Sequence, residues 1–311
     1  MSHFVVIVVG ASDNAALEKM LAPFCEQTED RRYLQFKAVE EEYLAEYQSK
    51  GTRMVQLPGG ELRYPWDDMF RNNKSFLDNT TAYPEGAVEV EVLHKERYAS
   101  FEEFVKEWHG AAERDPEHGV YGHWLNPNAK WDWWELGGRW RGFFRTPDGN
   151  ADMVQKGQWN RIAEQDDAEK AAAERYDRFF AMMGAIPVPP AWPQVLKEFE
   201  GDVEKARVAY QGHPSMRHIA ENDPEKEWRP MFGDPGEEFS CDRGTYLQRA
   251  RNKVGTPFAI LHNGVWLNRG RMGWFGMAHD EEDADAWSLR VHQLIDGLPD
   301  DTWLAAVDCH I

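Results

Sequence analysis

The sequence predicts an α+β fold whose sheet is built from both ends of the chain. An apolar run at residues 4–9 precedes a helical pattern near the start. Near the end, an Asn263-Gly264 turn joins two strand patterns, and a helix and a last strand follow. This βα…ββαβ order is typical of a ferredoxin-like sheet, with the rest of the chain inserted between its two parts.

The first element is predicted to be a buried strand followed by a helix. The run FVVIVV is too short to span a membrane, lacks a basic flank and is typical of a strand covered on both faces. Ser12 or Asp13 can cap the helix that follows. The apolar positions of this helix have helical spacing: Leu17, Met20, Leu21 and Phe24.

The segment up to residue 110 mixes short strands and helices. Residues 33–49 have the composition of a polar helix, and a Pro58-Gly59-Gly60-Glu61 turn between two strand patterns predicts a hairpin. Residues 88–92 alternate apolar and polar side chains, as a half-buried strand does. Ser100 and Glu103 form a capping box for a short helix that ends near Gly110.

Charged helical patterns dominate from about residue 160 to residue 250, and Pro- and Gly-rich breaks interrupt them. We interpret residues 151–255 as a helical insertion. Residues 1–150 then carry the N-terminal part of the core together with a Trp- and Gly-rich segment. Residues 256–311 complete the core with a hairpin, a helix and a last strand at 303–309.

The composition restricts the classes of partner. The chain has 35 Lys and Arg against 54 Asp and Glu, a net charge of −19, which repels nucleic-acid phosphates and anionic membrane surfaces at long range. We therefore expect no direct contact with nucleic acid or membrane, and an anionic ligand needs a local basic pocket. Three scattered cysteines without a CxxC pair fit a reducing cytoplasm.

Residues 126–140 are the most unusual segment, because tryptophans, amides and two cations surround a glycine pair. Tryptophan faces can stack on a base or sugar, amides can bind polar edges, and Lys or Arg can neutralise phosphate. The predicted ligand contacts are Asn126, Asn128, Lys130, Trp131, Asp132, Trp133, Trp134, Arg139 and Trp140. In the alternative interpretation the tryptophans are core, Asp132 pairs with Lys130 or Arg139, and the glycines only form a turn or bulge.

A second glycine- and aromatic-rich cluster, residues 269–276, follows the C-terminal hairpin. We predict that Arg271, Gly273 and Trp274 line the same cavity as the residues 126–140. The alternative is a loop whose glycines accommodate tight turns and whose Arg271 is solvated.

Histidines near both ends form the third candidate site. If the first and last strands pair antiparallel, His3 lies near His310 and Asp308, and this group could hold Zn²⁺ or another divalent ion or transfer a proton. His123 is a further acid–base candidate because it precedes the aromatic segment. In the alternative interpretation the terminal histidines are only exposed, and no H-x-E or H-E-x-x-H spacing supports a metal. The chain also has no Walker A or G-x-S-x-G motif, so we predict no cofactor and leave a divalent metal open.

Several motifs carry a resemblance to a known family. They are MSHF at residues 1–4, NPNAKWDW at 126–133, GGRW at 137–140, MGWFG at 272–276 and VDCHI at 307–311. With these motifs the chain resembles a family of tailed-phage and prophage proteins that has no established activity. The resemblance implies a non-structural accessory protein in the bacterial cytoplasm, a class in which countering host defence is a common role.

Three functions remain open from the sequence. The leading hypothesis is a binding protein that sequesters a nucleotide-like anion. The second is a metal- or histidine-dependent hydrolase or phosphodiesterase that acts on a nucleotide in the same cavity. The third is an acidic mimic of nucleic acid that binds a host defence protein. A homo-oligomer is compatible with each of the three.

Overall fold

The computed structural model describes residues 2–70, 83–111, 113–228, 233–273 and 277–311. The chain divides into two compact units: the first comprises Met1–Cys25 and Ala129–Ile311, and the second comprises Glu26–Asn128. The Trp- and Gly-rich segment therefore begins in the second unit and continues in the first. No sequence signal marked these boundaries.

The described residues form fifteen strands: β1 (His3–Val9), β2 (Gln35–Ala38), β3 (Gly51–Gln56), β4 (Leu62–Arg63), β5 (Val88–Leu93), β6 (Gly122–Leu125), β7 (Trp133–Leu136), β8 (Phe144–Thr146), β9 (Gly149–Ala151), β10 (Met153–Gln155), β11 (Ala259–His262), β12 (Val265–Asn268), β13 (Arg271–Met272), β14 (Ala278–His279) and β15 (Trp303–His310). They also form eleven α-helices: α1 (Asn14–Leu21), α2 (Glu40–Ser49), α3 (His94–Arg97), α4 (Phe101–His109), α5 (Arg161–Met183), α6 (Trp192–Glu198), α7 (Val203–Gly212), α8 (Pro214–Asn222), α9 (Pro235–Glu238), α10 (Arg243–Lys253) and α11 (Ala284–Asp296).

The first unit is built on a mixed sheet in the order β10-β15-β1-β11-β12, with β7 also paired to β15. Strand β15 runs antiparallel to β1 in a register that joins His3 to His310 and Val9 to Leu304. Both strands are almost fully buried, because apolar side chains cover both faces. The α+β class and the sheet made from both termini are therefore confirmed.

The ferredoxin-like topology is not confirmed. That topology splits a βαβ unit by placing a strand between its two parallel strands. Here β1 and β11 pair directly and parallel, with Val6 opposite Ala259. The predicted hairpin is present, but its second strand β12 lies on the outer side of β11.

Each face of the central sheet has its own helix. Leu17 and Leu21 of α1 pack on the face that carries Phe4, Val6 and Val8. Side chains of α11 pack on the opposite face, which carries Val5, Ile7 and Val9; they are Trp287, Val291 and Ile295. We call these the α1 face and the α11 face. The alternation of side chains along β1 assigns neighbouring residues to opposite faces.

Between Arg161 and Lys253 all described elements are helices, and α5 supplies a separate core around Phe179 and Met183. The helical part begins later than residue 151, because β10 pairs with residues 303–305 of β15 and belongs to the central sheet. None of the helices in the described ranges is long and apolar enough to cross a membrane.

The second unit has two small sheets, β4-β3-β5 and β2-β6. The predicted hairpin and the strand at 88–92 are present as β3, β4 and β5. The capping residue Ser100 accepts a hydrogen bond from the Glu103 backbone N–H at 3.1 Å, and α4 ends at Gly110. Residues 35–38, predicted as helix, form β2 because they pair with β6.

Candidate functional sites at one end of the central sheet

The two asparagines of the Trp- and Gly-rich segment belong to the second unit. The Asn128 backbone N–H donates to Asn126 Oδ1 at 2.9 Å, which forms an Asx turn around Pro127. Asn126 is buried and Asn128 is exposed. From Ala129 onward the segment lies in the first unit, so the structure divides the predicted contacts between two units.

The tryptophans of the segment have different environments. Trp131 is 7% exposed and packs in the core of the α1 face, and half-buried Trp134 packs against the same cluster. Trp140 packs against the core of the α11 face. Trp133 differs from these three because 48% of its surface is exposed. It is the tryptophan of this segment that offers a large free ring.

Two histidine–carboxylate pairs lie at the end of the sheet where β1 begins and β15 ends. His3 Nδ1 is 2.8 Å from Asp308 Oδ1, and His310 Nδ1 is 2.6 Å from Asp132 Oδ1. An ionised carboxylate only accepts, so each Nδ1 carries the hydrogen and donates it. The two imidazole centres are 4.9 Å apart. The structure therefore brings together His3, His310 and Asp308, as the antiparallel pairing predicts, and adds Asp132.

Asp308 is fixed from two sides. It is 1% exposed in a strand whose other central residues are apolar. Its Oδ1 accepts from His3, and its Oδ2 accepts from the Arg139 backbone N–H at 3.0 Å. A buried carboxylate needs such partners, because an unpaired charge in the interior is strongly disfavoured. Asp308 therefore holds the His3 ring in one tautomer and one orientation.

Aspartate side chains fill the space beside the glycine pair, so this space is not open to a ligand. A Cβ at Gly138 would lie 2.5 Å from the Asp308 Cβ, and one at Gly137 would lie 2.4 Å from the Asp152 Cγ. Both glycines have positive φ, at +47° and +73°. The space beside both glycines is therefore occupied by Asp308 and Asp152.

Within the described residues, Asp132 forms no ion pair with Lys130 or Arg139, the cations of the segment. Asp132 binds His310 through its side chain, and its backbone N–H donates to the His310 carbonyl at 3.0 Å. The sequence-based alternative of a pair with Lys130 or Arg139 is therefore wrong. Arg139 has an exposed side chain.

His123 belongs to the second unit. Its Nε2 is 2.9 Å from the Tyr43 hydroxyl oxygen, and the two groups form a hydrogen bond. Among the described residues, no group of three or more His, Cys, Asp or Glu side chains is arranged to hold a metal ion. Cys309, which follows Asp308, is fully buried, and burial raises the pKa of its thiol well above the ordinary value. A thiol with a raised pKa is a poor nucleophile.

A cavity of about 190 Å³ lies within the first unit. Its lining includes two predicted contacts, Lys130 and Arg271, and three aromatic side chains, Phe4, Phe258 and Trp266. Arg271 Nε donates to Asp280 Oδ2 at 3.0 Å, and both side chains are more than 70% exposed. Residues 126–140 and residues 269–276 therefore each contribute one cation to the lining of the same cavity.

Gly273 directly follows Met272, a residue of the cavity lining. Its backbone N–H donates to the Met277 carbonyl at 2.8 Å, and a Cβ on Gly273 would lie 2.9 Å from that oxygen. Trp274 lies outside the described residues.

The cavity and the histidine pairs occupy opposite faces of the sheet. Phe4 lines the cavity and belongs to the core of the α1 face. His3, its neighbour in β1, points to the α11 face, as do its cross-strand partner His310 and Asp308. The two arrangements are therefore separate candidate sites.

Sequence reasoning missed the aromatic lining of the cavity and the partner of His310. The sequence around Phe4 and Trp266 does not distinguish them from ordinary core positions of strands. Asp132 could have been connected to His310 only through the pairing of β7 with β15, in which Trp133 lies opposite His310. Comparisons with protein-family models, curated protein sequences and solved structures found no match.

Proposed function

We propose that the protein binds a small anionic ligand with a planar group in the cavity of the α1 face. The observation that carries this proposal is the convergence of Lys130 and Arg271 with Phe4, Phe258 and Trp266 around one cavity of about 190 Å³. Cations supply the attraction for phosphate or carboxylate, and aromatic rings supply surface for a base or another flat ring.

Charge favours an anion at this place. The whole chain carries −19, so an anionic ligand needs cations within direct reach. In the part of the chain that the structure describes, Lys130 takes part in no ion pair. Arg271 is paired with Asp280 at the surface, where ion pairs contribute roughly 0–1 kcal/mol. A phosphate can therefore compete with Asp280 for the guanidinium.

The volume of the cavity limits the size of the ligand. Pockets for drug-sized ligands usually measure about 300–1,000 Å³. A cavity of about 190 Å³ has room for one ring or one phosphate group, with the remainder of a nucleotide-like molecule outside. The cavity lining contains Phe4, Phe258 and Trp266, and these are the rings that we assign to the ligand.

The wider role that we propose is that of a phage accessory protein that sequesters a nucleotide-derived signal of host defence. Its support is the resemblance of the motifs at residues 126–140 and 307–311. Binding without turnover is sufficient for such a role.

Calorimetry and thermal shift test the binding proposal. The probes are inorganic phosphate, nucleoside monophosphates and cyclic dinucleotides. Binding stabilises the folded protein by RT ln(1 + L/Kd), where L is the ligand concentration, so the unfolding temperature rises with the logarithm of this concentration once it exceeds Kd. We expect Lys130→Met to weaken binding about tenfold or more, because a charge-assisted hydrogen bond is lost. Lys19→Met, at an exposed position of α1, is the matched control. Absence of binding by every probe, or equal affinity of the Lys130→Met protein, would overturn the proposal.

A further inference from the structure

We propose that His3 and His310 form a second site, a general acid–base pair that hydrolyses a small phosphodiester carrying a planar base. This site lies on the α11 face, and it goes beyond the binding function proposed for the cavity of the α1 face. Three structural features support this site: the orientation of each ring, the proximity of the two rings and the surrounding side chains.

The first feature is the orientation of His3. Its Nδ1–H donates to Asp308, whose other oxygen is held by the Arg139 backbone N–H. With Nδ1 engaged, Nε2 is the ring atom that can accept or donate a proton. A carboxylate that fixes the imidazole in this way also stabilises the imidazolium that forms when Nε2 takes up a proton. The His3 side chain is 15% exposed, so a small molecule can reach its edge.

The second feature is an equivalent histidine beside the first. His310 lies directly opposite His3 in the β1–β15 register, and its Nδ1–H donates to Asp132. The ring centres are 4.9 Å apart, with the ring planes inclined at 67°. The His310 side chain is 14% exposed. Two imidazoles with the same free nitrogen can divide the roles of base and acid.

The third feature is the pair of side chains that can recognise a nucleotide. Trp133 lies opposite His310 in the pairing of β7 with β15, and it is 48% exposed. The centre of its ring is 6.2 Å from the centre of the His3 ring. An exposed indole can stack on a base. Arg139, which donates its backbone N–H to Asp308, has an exposed side chain that forms no ion pair within the described ranges. A guanidinium is suited to a phosphate.

The reaction balances without a redox partner. One neutral imidazole removes a proton from water as the water oxygen forms a bond to phosphorus. The ester P–O bond breaks, its electrons stay on the leaving oxygen, and the other imidazolium donates its proton to that oxygen. One water is consumed. A linear diester gives a phosphomonoester and an alcohol, and a cyclic diester gives one phosphomonoester that carries the new hydroxyl. Proton transfers of this kind contribute roughly 10²–10⁴-fold to a rate.

The test is a hydrolysis assay with the full-length protein. The probes are bis(p-nitrophenyl) phosphate, 2′,3′- and 3′,5′-cyclic mononucleotides and dinucleotides, analysed by chromatography in the presence of EDTA. We expect turnover of at least one probe with a bell-shaped pH dependence of kcat/KM. His3→Asn and His310→Asn should each lower kcat by about 100-fold or more. Trp133→Ala should raise KM with a smaller effect on kcat.

The matched control is His262→Asn, because His262 lies on β11 of the same unit and outside both sites. Unfolding curves of all variants establish that a loss of turnover is not a loss of fold. Four outcomes would overturn the proposal: no turnover of any probe, full turnover by both histidine variants, loss of turnover in EDTA, or equal loss in the His262→Asn protein. Failure of this assay leaves the Lys130-dependent binding test unaffected, because the two sites use different residues.

Discussion

Two histidines of the first unit, His3 and His310, differ from two of the second unit, His94 and His109, in what surrounds them. In the first unit, His3 and His310 each donate Nδ1–H to a carboxylate. In the second unit, His94 is 1% exposed among Phe104, Trp108 and Tyr98, and His109 stacks on Tyr43 at 3.7 Å. An imidazole that donates Nδ1–H to a carboxylate leaves Nε2 for proton transfer, whereas burial among aromatic side chains favours a neutral ring. The first arrangement is therefore suited to proton transfer and the second to packing.

The pKa values of His94 and His109 reflect their burial. Burial lowers the pKa of His94 and of His109 from the ordinary value of 6.5, and the nearby Glu46 carboxylate opposes the shift in both. His109 Nε2 is 3.6 Å from Glu46 Oε2, too far for a hydrogen bond. His94 Nδ1 has no hydrogen-bond partner within the described part of the chain.

The largest effect on stability is expected at Asp308. Asp308→Ala removes a buried acceptor from both the His3 ring and the Arg139 backbone N–H. We expect the free energy of unfolding to fall by about 3 kcal/mol, because breaking a buried pair leaves its partner groups unsatisfied. Urea denaturation measures this change. Asp280→Ala, which removes an exposed carboxylate, should change it by less than about 0.5 kcal/mol. A loss below about 1 kcal/mol for Asp308→Ala would contradict the role of Asp308 as a buried acceptor for both groups.

The second unit should lose stability in acid. Because the pKa of His94 and His109 is lowered on folding, the unfolded chain binds more protons as the pH falls below about 6.5. The contribution of these residues is fully present above that pH and is lost as the pH falls through the lowered values. Amide hydrogen exchange of β3 and α4, corrected for intrinsic rates, should show falling protection between pH 7.5 and pH 5.

His94→Leu is the control for this pH dependence. Leucine fills a similar space and has no unsatisfied nitrogen, so protection of the second unit should stay equal or rise at pH 7.5 and depend less on pH. An unchanged pH dependence in the His94→Leu protein would show that its ring is not the titrating group.

A smaller effect is expected at Asp132. Its side chain is 25% exposed, against 2% for Asp308, so Asp132→Ala should cost less than about 1 kcal/mol of stability. The sharper readout is the tautomer of His310, seen in the ¹⁵N chemical shifts of the imidazole. We expect both histidines to carry hydrogen on Nδ1 in the native protein, and only His310 to lose this preference in the variant. Retention of the Nδ1–H form would contradict the role of Asp132.

The elements that could be predicted are those governed by local chemistry. The capping residues Asp13 and Ser100 and the Asn263-Gly264 hairpin lie where the sequence predicts them. Their geometry depends on a few adjacent residues, such as the positive φ of Asn263 and Gly264. Strand β2 was missed because its strand state depends on pairing with β6, far along the chain.

The candidate sites were predictable to different extents. The meeting of His3, Asp308 and His310 follows from one antiparallel pairing, because register alone brings cross-strand neighbours together. The tryptophans of residues 126–140 could not be assigned from the sequence. A ring in a core and a ring in a pocket have the same local pattern, and only the packing separates buried Trp131 from exposed Trp133.

The sequence by itself determined the α+β class, the apolar strands β1 and β15 and the need for local cations at any anion site, because apolar periodicity and net charge are properties of the chain. The tertiary structure decided that β1 and β11 are neighbours, that Asp308 and Asp152 occupy the space beside Gly138 and Gly137, and that Lys130 and Arg271 share a cavity. These contacts join residues far apart in sequence, and their energies depend on burial and register that no local pattern encodes.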